Sequence, residues 1–324
     1  MTADNRKPAG PSDRPTESRA SYSLFQEPWW LDAVAPGGWD EVEVRSDGHL
    51  TARLPFVTRR RRGLTELTSP PMTKTLGPWL APAEGKYTNL LARQMEALQE
   101  LIGKLPKFDV FRQAFAPELM NWLPFHWHGF RASGGVTYRL EDLSSVDEIW
   151  RGLRENIRRE VRKAERQLTI VDDLGVDRFL ETAALTFGRQ SMASPIDSRL
   201  MHRIDEAAGR RNQRRILFAV DDHHRVHAAV YLVWDERVFY YLAGGADADL
   251  RTSGASSLAM WTAIRHAAEV SACFDFEGSM SEPIERYFRA FGARQVPYLV
   301  VSRHNRRAAA LSAMRQLVGA LRGS

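Results

Sequence analysis

Cysteine is almost absent from this sequence: Cys273 is the one cysteine among 324 residues. A single cysteine excludes an intrachain disulfide framework and a zinc site built from several cysteines. Long apolar runs are absent too, because none reaches the roughly 18 residues that a membrane-spanning helix needs. The first 23 residues also lack the apolar segment of a signal peptide. We therefore expect a cytoplasmic protein with no membrane span.

Neither sign of charge is in large excess. Lys and Arg number 45 and Asp and Glu number 40, which gives a net charge of +5. With 44% hydrophobic and 26% charged residues, the composition is that of an ordinary globular protein. The length predicts two domains or one large one. The mild basic excess allows a phosphate-bearing partner without requiring one.

The chain divides by composition into a leader and two parts. Residues 1–23 are rich in Pro, Ser, Asp and Arg, so we interpret them as a disordered leader. We predict an N-terminal domain over 24–143 and a C-terminal domain over 144–324. In the second domain the expected order is a long helix over Ser145–Leu168, a strand, two helices, three hairpin-connected strands, a helix, a strand, a helix and a strand, followed by a terminal helix. This order indicates a mixed α/β fold with antiparallel strands followed by crossover helices.

Small residues begin one of these helices, in the segment Leu250–Trp261 (LRTSGASSLAMW). The free backbone N–H groups of such a helix start, together with the helix dipole, favour an anion. Arg251 stands just before this turn and can add a contact to phosphate. The alternative is a capped helix, with Ser253 as N-cap and Arg251 in solvent.

The pattern Arg251-x-x-Gly254-x-Ser256 resembles the pyrophosphate loop of the GNAT acyltransferase superfamily. The downstream segment CFDFEGSMSEPIERYFRAFGARQVPYLVV resembles the closing strand–helix–strand of Fem-like GNAT proteins, and NIRREVRKAER resembles their basic helix. The resemblance covers roughly residues 145–305. It reaches the first domain only through Trp29–Leu31 and the order of elements.

The resemblance implies tandem GNAT-like domains, each a mixed, mostly antiparallel sheet flanked by helices. It implies an N-acyltransferase that passes an acyl group from acyl-CoA, a co-substrate and not a tightly bound cofactor, to an amine. The donor's phosphates would contact Arg251, Gly254, Ala255 and Ser256. One alternative is an aminoacyl-tRNA donor, as in Fem ligases. Another is a GNAT-fold binding protein without catalysis.

Asp275 and Glu277 are the candidates for a general base. They lie two residues apart on the predicted strand CFDFEG, so both side chains are expected on one face. Attack on a thioester or ester needs a neutral amine, which requires a base within hydrogen-bonding reach. The alternative is structural: one carboxylate pairs with Arg286 or Arg289, and the other caps the next helix.

Two tyrosines are further candidates. GNAT enzymes often place a general-acid tyrosine four residues before the glycine that ends this helix, and here that position is Phe288. Tyr287 is the neighbouring candidate, although it projects about 100° away on a helix. The pair Tyr240–Tyr241 alternates across a predicted strand, so Tyr240 is expected to face the core and Tyr241 the substrate groove.

Arginines recur along the predicted helix that opens the second domain. Arg158 and Arg162 border its apolar seam, so we expect them to orient a small amine or anionic acceptor. The alternative is a solvated face paired with glutamates at helical spacing. A second basic run, Arg59–Arg62, is interpreted as a strand-end or hairpin patch, with RNA as a further alternative partner.

Histidine clusters do not predict a metal site here. His126 and His128 are expected on one strand face among aromatic residues, and His223, His224 and His227 lie around a turn with aspartates. We predict packing and solvation for these groups, and a core position for Cys273. The acceptor, the acyl group and the oligomeric state are not defined by the sequence.

Overall fold

A computed structural model describes residues 21–188, 196–278 and 280–311. Within these residues twelve strands form one sheet. The strands are β1 Trp39–Ser46, β2 His49–Arg61, β3 Leu64–Thr68, β4 Trp79–Leu80, β5 Val110–Ala114, β6 Arg131–Leu140, β7 Thr169–Val171, β8 Arg214–Val220, β9 Val226–Trp234, β10 Val238–Ala246, β11 Cys273–Asp275 and β12 Arg294–His304.

Nine α-helices whose two ends both lie in the described part of the chain flank this sheet. They are α1 Pro28–Val34, α2 Tyr87–Lys104, α3 Leu123–Trp127, α4 Val146–Gly152, α5 Glu155–Ala164, α6 Gly175–Gly188, α7 Ser198–Gly209, α8 Ala255–Val270 and α9 Glu282–Arg289. Short 3-10 turns cover Leu24–Gln26 and Arg251–Ser253. The mixed α/β class and the element order of the second half are as predicted.

The sheet runs without interruption through both halves of the chain. Its strand order is β1-β2-β3-β5-β12-β6-β11-β10-β9-β8-β7, with β4 paired to β2. The last strand, β12, pairs antiparallel with both β5 and β6. Most neighbours are antiparallel, and the parallel pairs are β3 with β5 and β10 with β11. The predicted boundary between residues 143 and 144 therefore divides the sequence but not the sheet.

Three apolar clusters pack against this sheet. One contains the seam of α5, namely Ile157, Val161 and Ala164, with buried residues of α8 and α9. The opposite face of the second half packs against α1, α6 and α7, with Trp30 and Phe218 fully buried. The third cluster fills the first half under α2 and α3. Burial of apolar side chains on both faces of the second half stabilises the layered arrangement.

The predicted helix over Ser145–Leu168 is two helices. Helix α4 ends at Gly152, and Leu153 and Arg154 adopt extended dihedral angles before α5 begins. The break lets the Arg154 N–H donate to the carbonyl oxygen of Ala290 at 2.9 Å while Leu153 enters the core. Because Gly152 weakens the helix at this point, the tertiary contact outweighs the remaining local preference for a continuous helix.

The aromatic segment around His126 and His128 is also different from the expectation. It forms the short helix α3 instead of a strand, with Pro124 in its first turn, where proline is tolerated.

The two ends of the chain are described only in part. The predicted leader covers residues 1–23, and of these residues 1–20 lie outside the described part of the chain. Ser21 and Ser23 are buried. Of the predicted terminal helix, residues 306–311 are helical and the rest lies outside the described part.

Among the described residues, no helix is both long and apolar enough to cross a bilayer.

Candidate functional site

Strands β10 and β11 separate part-way along their length. They pair in parallel at Val238–Tyr240 with Cys273–Asp275, and there β11 ends while β10 continues to Ala246. The ladder between β10 and β9 shifts register between Tyr241 and Ala243, where the separation begins. We call the opening between β10 beyond Tyr240 and the segment 276–278 the cleft. Its β10 edge has backbone groups that β11 does not pair.

The end of β11 is a tight turn. Glu277 has φ 57° and Gly278 has φ 47°, so both lie in the left-handed region. A Cβ at position 278 would stand 2.3 Å from the Val136 carbonyl oxygen, which restricts this position to glycine. The Phe276 N–H donates to the Tyr138 carbonyl at 2.9 Å, and the Glu277 N–H donates to Asp275 Oδ1 at 2.7 Å. The predicted strand CFDFEG therefore stops at Asp275, and Glu277 projects from a strained turn.

The carboxyl group of Glu277 is the unusual polar group of this turn. Its Oε1 atom is buried and has no hydrogen-bond partner in the described part of the structure. Burial raises the pKa of Glu277 well above its usual value, the nearby Asp275 raises it further, and Lys74 lowers it. A carboxyl group with a raised pKa can exchange a proton with an amine near neutral pH.

Asp275 is held by three donors. Arg139 Nε donates to its Oδ2 at 2.7 Å, the Thr137 hydroxyl donates to its Oδ1 at 2.5 Å, and the Glu277 N–H donates to Oδ1 as well. Its side chain is 6% exposed, and Arg139 also pairs with Glu118 at 3.0 Å. The arginines expected beside it, Arg286 and Arg289, pair with Glu282 and Glu285 instead.

Lys74 reaches this turn from the first half of the chain. Its Nζ donates to the Gly278 carbonyl at 3.1 Å and lies 5.8 Å from the centre of the Tyr298 ring. The loop that carries it is anchored on both sides. Trp30 Nε1 donates to the Thr73 hydroxyl at 2.9 Å, and the Leu76 N–H donates to the Ala114 carbonyl at 2.8 Å. The two halves therefore meet at the catalytic candidate, which the sequence did not indicate.

The paired tyrosines split across β10 as predicted. Tyr240 packs in the cluster with α1, at 4.7 Å from Phe25 between ring centres, and Tyr241 packs on the other face at 6.0 Å from Phe288. The hydroxyl of Tyr241 fills the space that a Cβ at Gly244 would need, so this glycine leaves room for the ring. Burial raises the pKa of Tyr241 to about 12.

Tyr287 lies on α9 with its ring against Phe291, at 5.1 Å between centres. Its hydroxyl is buried and has no hydrogen-bond partner among the described residues. Burial raises its pKa, Ser257 partly offsets this, and Tyr241 adds to it. Tyr287, Tyr241 and Ser257 therefore share one neighbourhood, and the phenol keeps its proton at neutral pH.

The segment 251–256, predicted to contact the donor's phosphates and called the donor loop below, adopts the expected turn. Gly254 has φ 81° and is the N-cap of α8, so the helix begins at Ala255. Ser253 is not the N-cap; its hydroxyl accepts from the Ala255 N–H at 3.3 Å. Arg251 is exposed and makes no hydrogen bond or ion pair within the described residues. Ser256 is exposed as well, so a ligand can approach the first turn from that side.

Helix α5 contacts this loop at three points. A Cβ at Gly254 would stand 2.6 Å from the Glu160 carbonyl oxygen. The Ser257 hydroxyl, on a residue that is 1% exposed, donates to Glu160 Oε2 at 2.6 Å, and Lys163 Nζ donates to the Thr252 carbonyl at 2.7 Å. The Glu160 carboxylate thus interacts favourably with the positive end of α8. No local pattern predicts this contact, because the helical spacing of Glu160 indicates pairing along its own helix.

Arg158 and Arg162 lie on the other side of the α5 seam, towards α4. Arg158 donates to Glu155 Oε2 at 2.6 Å and to the Arg151 carbonyl at 2.9 Å. Arg162 stands 5.6 Å from the Trp150 ring centre, is exposed, and has no carboxylate partner in the described part of the chain. The structure therefore does not bring this pair to the donor loop, where Glu160 and Lys163 are the contacts from α5.

The described residues contain no group of three or more His, Cys, Asp and Glu side chains that could hold a metal ion. In the turn that carries three of the histidines, Asp221 accepts hydrogen bonds from Arg225 and His227, so these contacts stabilise the turn. Burial raises the pKa of the Cys273 thiol to about 12, which disfavours the nucleophilic thiolate at neutral pH.

Residues 151–289 match the family described as "Acetyltransferase (GNAT) domain". The second half of the chain carries a GNAT domain. This matched region includes the cleft, the turn at Glu277 and the donor loop. GNAT domains are acyltransferase domains, which supports a transferase activity. No curated protein sequence matches the chain.

Solved structures show that the likeness extends over both halves. FemX has a TM-score of 0.66 at 13% identity, with 85% of this chain and 91% of that chain covered. The C-terminal domain of a putative lysylphosphatidylglycerol synthetase from Agrobacterium fabrum has a TM-score of 0.51 at 13% identity, covering 88% and 90%. A tandem GNAT protein from the clavulanic acid biosynthesis pathway has a TM-score of 0.51 at 11% identity, covering 82% of each chain. The chain therefore has the Fem-like, tandem GNAT fold.

Proposed function

We propose that the protein is an N-acyltransferase that joins an acyl group to an amine in the cleft, with Glu277 as the general base. The observation that carries the proposal is the buried Oε1 atom of Glu277, which has no hydrogen-bond partner among the described residues and lies at the point where β10 and β11 separate. Asp275 is less suited to this role, because three donors already bind its oxygens. We assign Asp275 to holding the turn.

The chemistry follows from the groups around the cleft. Glu277 takes a proton from the acceptor ammonium, and the neutral amine attacks the acyl carbon. The new C–N bond replaces the C–S or C–O bond of the donor. The departing thiolate or alkoxide takes up one proton, and the attacking nitrogen releases its second proton, which restores the group that protonated the leaving group. Tyr287 is the proposed donor of that proton, since its buried phenol retains its hydrogen. Tyr241 would line the acceptor side.

Acyl-CoA is the proposed donor, with its phosphates at Arg251, Gly254, Ala255 and Ser256. The left-handed N-cap and the guanidinium of Arg251, which has no partner in the part of the chain that the structure describes, support this assignment. A second candidate donor is aminoacyl-tRNA, and Glu160 favours it. Its carboxylate already faces the start of α8 through Ser257 and would oppose a pyrophosphate there. For the acceptor we retain a small amine or anionic molecule. Of the two arginines predicted to orient it, Arg162 is the better candidate, because Arg158 pairs with Glu155 and Arg162 has no carboxylate partner in the described part of the chain.

The donor assignment is tested by calorimetric titration with CoA. If phosphates bind at the start of α8, Arg251→Ala weakens CoA binding by about 10- to 100-fold, the effect of losing a charged hydrogen bond. Glu160→Gln tightens it, because an opposing negative charge is removed. Arg286→Ala, an exposed arginine outside the loop, serves as the control and leaves the affinity unchanged.

Two other outcomes would assign a different function. Absence of CoA binding by the unmodified protein, with retention of tRNA on filters at low salt, would instead assign the aminoacyl-tRNA donor. Donor binding without turnover across an acyl-donor series would indicate a binding protein.

Lys74 should control the pH dependence of the reaction. Lys74→Met removes the positive charge that lowers the pKa of Glu277, so that pKa rises further. The base is then protonated up to higher pH, and the acid limb of the kcat/KM profile moves to higher pH. Lys74→Arg retains the charge and the position of the limb. Lys86→Met, on the surface of the same half, is the control. An equal loss of rate at every pH in Lys74→Met would contradict this prediction.

A further inference from the structure

A dense group of arginines lies at the end of the sheet farthest from the cleft. We define the basic edge as Arg59–Arg62, Lys107, Arg131, Arg303, Arg306 and Arg307. The tip of the β2–β3 hairpin, the start of β5 and the end of β12 converge on Asp109. Its backbone and carboxyl groups bond to Thr65 and Asn305. Arg131 faces Ser302 across the β6–β12 ladder.

The basic edge is electrostatically unbalanced. All of its side chains are at least partly exposed, and none of them forms an ion pair within the described residues. Elsewhere, exposed arginines such as Arg151, Arg210 and Arg286 each have a glutamate partner. The acids nearest this edge are Asp109, already bonded to Thr65 and Asn305, and Glu66, opposite Arg59. Nine cations and two carboxylates give this edge a local excess of about seven positive charges, which is larger than the net charge of +5 of the whole chain.

An apolar stripe lies beside this edge. On and just before α3, Met120, Leu123 and Trp127 are 49%, 43% and 56% exposed. Helix α3 leads through Gly129 into Phe130 and Arg131, and Arg303 lies over the rings of Phe108 and Phe130 at 5.4 and 5.3 Å. The turn after Trp127 therefore places the stripe next to the cations.

We propose that the basic edge and the apolar stripe together dock the protein on an anionic lipid surface. Clustered Lys and Arg side chains are attracted to anionic headgroups, and tryptophan with neighbouring aliphatic side chains enters the interfacial region. RNA would use the cations equally well, but Trp127 is the one member of the stripe with a ring on which a base could stack, and Met120 and Leu123 have none. Arg131 and Arg139 are eight residues apart on β6, about 26 Å at the rise of a strand. The lipid surface is thus distant from Glu277 and acts as a docking surface, not as the acceptor.

The test is cosedimentation of the full chain with vesicles, without donor or acceptor, so it does not depend on the proposed acyl transfer. We expect binding to phosphatidylcholine vesicles that contain phosphatidylglycerol and none to pure phosphatidylcholine. The triple variant Arg60→Gln, Arg61→Gln, Arg62→Gln should weaken binding by roughly 100-fold, about fivefold for each charge. The control triple variant Arg151→Gln, Arg210→Gln, Arg286→Gln, which removes as many exposed charges elsewhere, should bind as the unmodified protein does.

A second variant separates the apolar contribution. Trp127→Ser should weaken vesicle binding several-fold while its dependence on salt stays unchanged, since no charge is lost. Circular dichroism and thermal melting verify that each variant is folded. The proposal is overturned by absence of vesicle binding at low salt, or by equal loss in the two triple variants. It is also overturned if unacylated tRNA binds this edge and anionic vesicles do not.

Discussion

Glu277→Gln is expected to lower kcat by about 10²- to 10⁴-fold, the usual contribution of a positioned general base. The substitution keeps the size and the buried position of the side chain but removes its ability to accept a proton from an ammonium group. The affinity for the donor should change little, because the proposed phosphate contacts lie at Arg251 and Gly254. Single-turnover rates and donor titration on the same preparation give the two quantities.

Glu282→Gln is the matched control for this experiment. Glu282 lies five residues further along the chain, is exposed and pairs with Arg286. Its amide variant should keep the full rate. In the unmodified protein the rate should rise with pH until Glu277 and the amine are both deprotonated. If Glu277→Gln retains full activity per folded molecule, the acceptor amine must lose its proton without this carboxylate, and the base assignment is wrong.

Asp275→Asn is expected to destabilise the protein by about 3–5 kcal/mol, because it leaves the guanidinium of Arg139 without its buried counter-charge. The same change weakens the hydrogen bonds from Thr137 and from the Glu277 N–H, which hold the strained turn. Urea unfolding followed by fluorescence measures the effect. The exposed pair at Glu282 provides the comparison, since its amide variant should change stability by less than about 1 kcal/mol.

This second experiment also separates the two carboxylates. If Asp275 holds the turn, the variant loses stability and its activity falls with the folded fraction and with the displacement of Glu277. A fully stable Asp275→Asn variant whose kcat falls as far as that of Glu277→Gln would assign the proton transfer to Asp275.

The sequence predicted the elements whose signals are local. The donor turn is an example: Gly254, Ala255 and Ser256 are small residues at a helix start, and the structure has a left-handed glycine N-cap there. The alternation of Tyr240 and Tyr241 also predicted their opposite faces. Each of these features depends on residues within one or two turns of the chain, so periodicity and residue type were sufficient.

The features that were missed depend on residues far apart in the chain. Lys74 and Gly278 are 204 positions apart, and Arg139 and Asp275 are 136 positions apart. No local pattern marks either contact. The break after Gly152 likewise depends on the carbonyl oxygen of Ala290, and the left-handed turn at Glu277 depends on the close approach of Val136. Tertiary contacts of this kind override local propensity, and the pattern of a single sequence does not disclose them.

The position of β12 affects how this chain reaches its native state. This strand is the last one in the described part of the chain, yet it fills the gap between β5 and β6, which come from the first half. Until residues 294–304 have left the ribosome, both of those strands present open edges that invite pairing with other chains. Contacts between residues so distant in sequence also make folding slow. From the synthesis of β6 until that of β12 the nascent chain is therefore exposed to misassembly, and it depends on late closure of the sheet to escape aggregation.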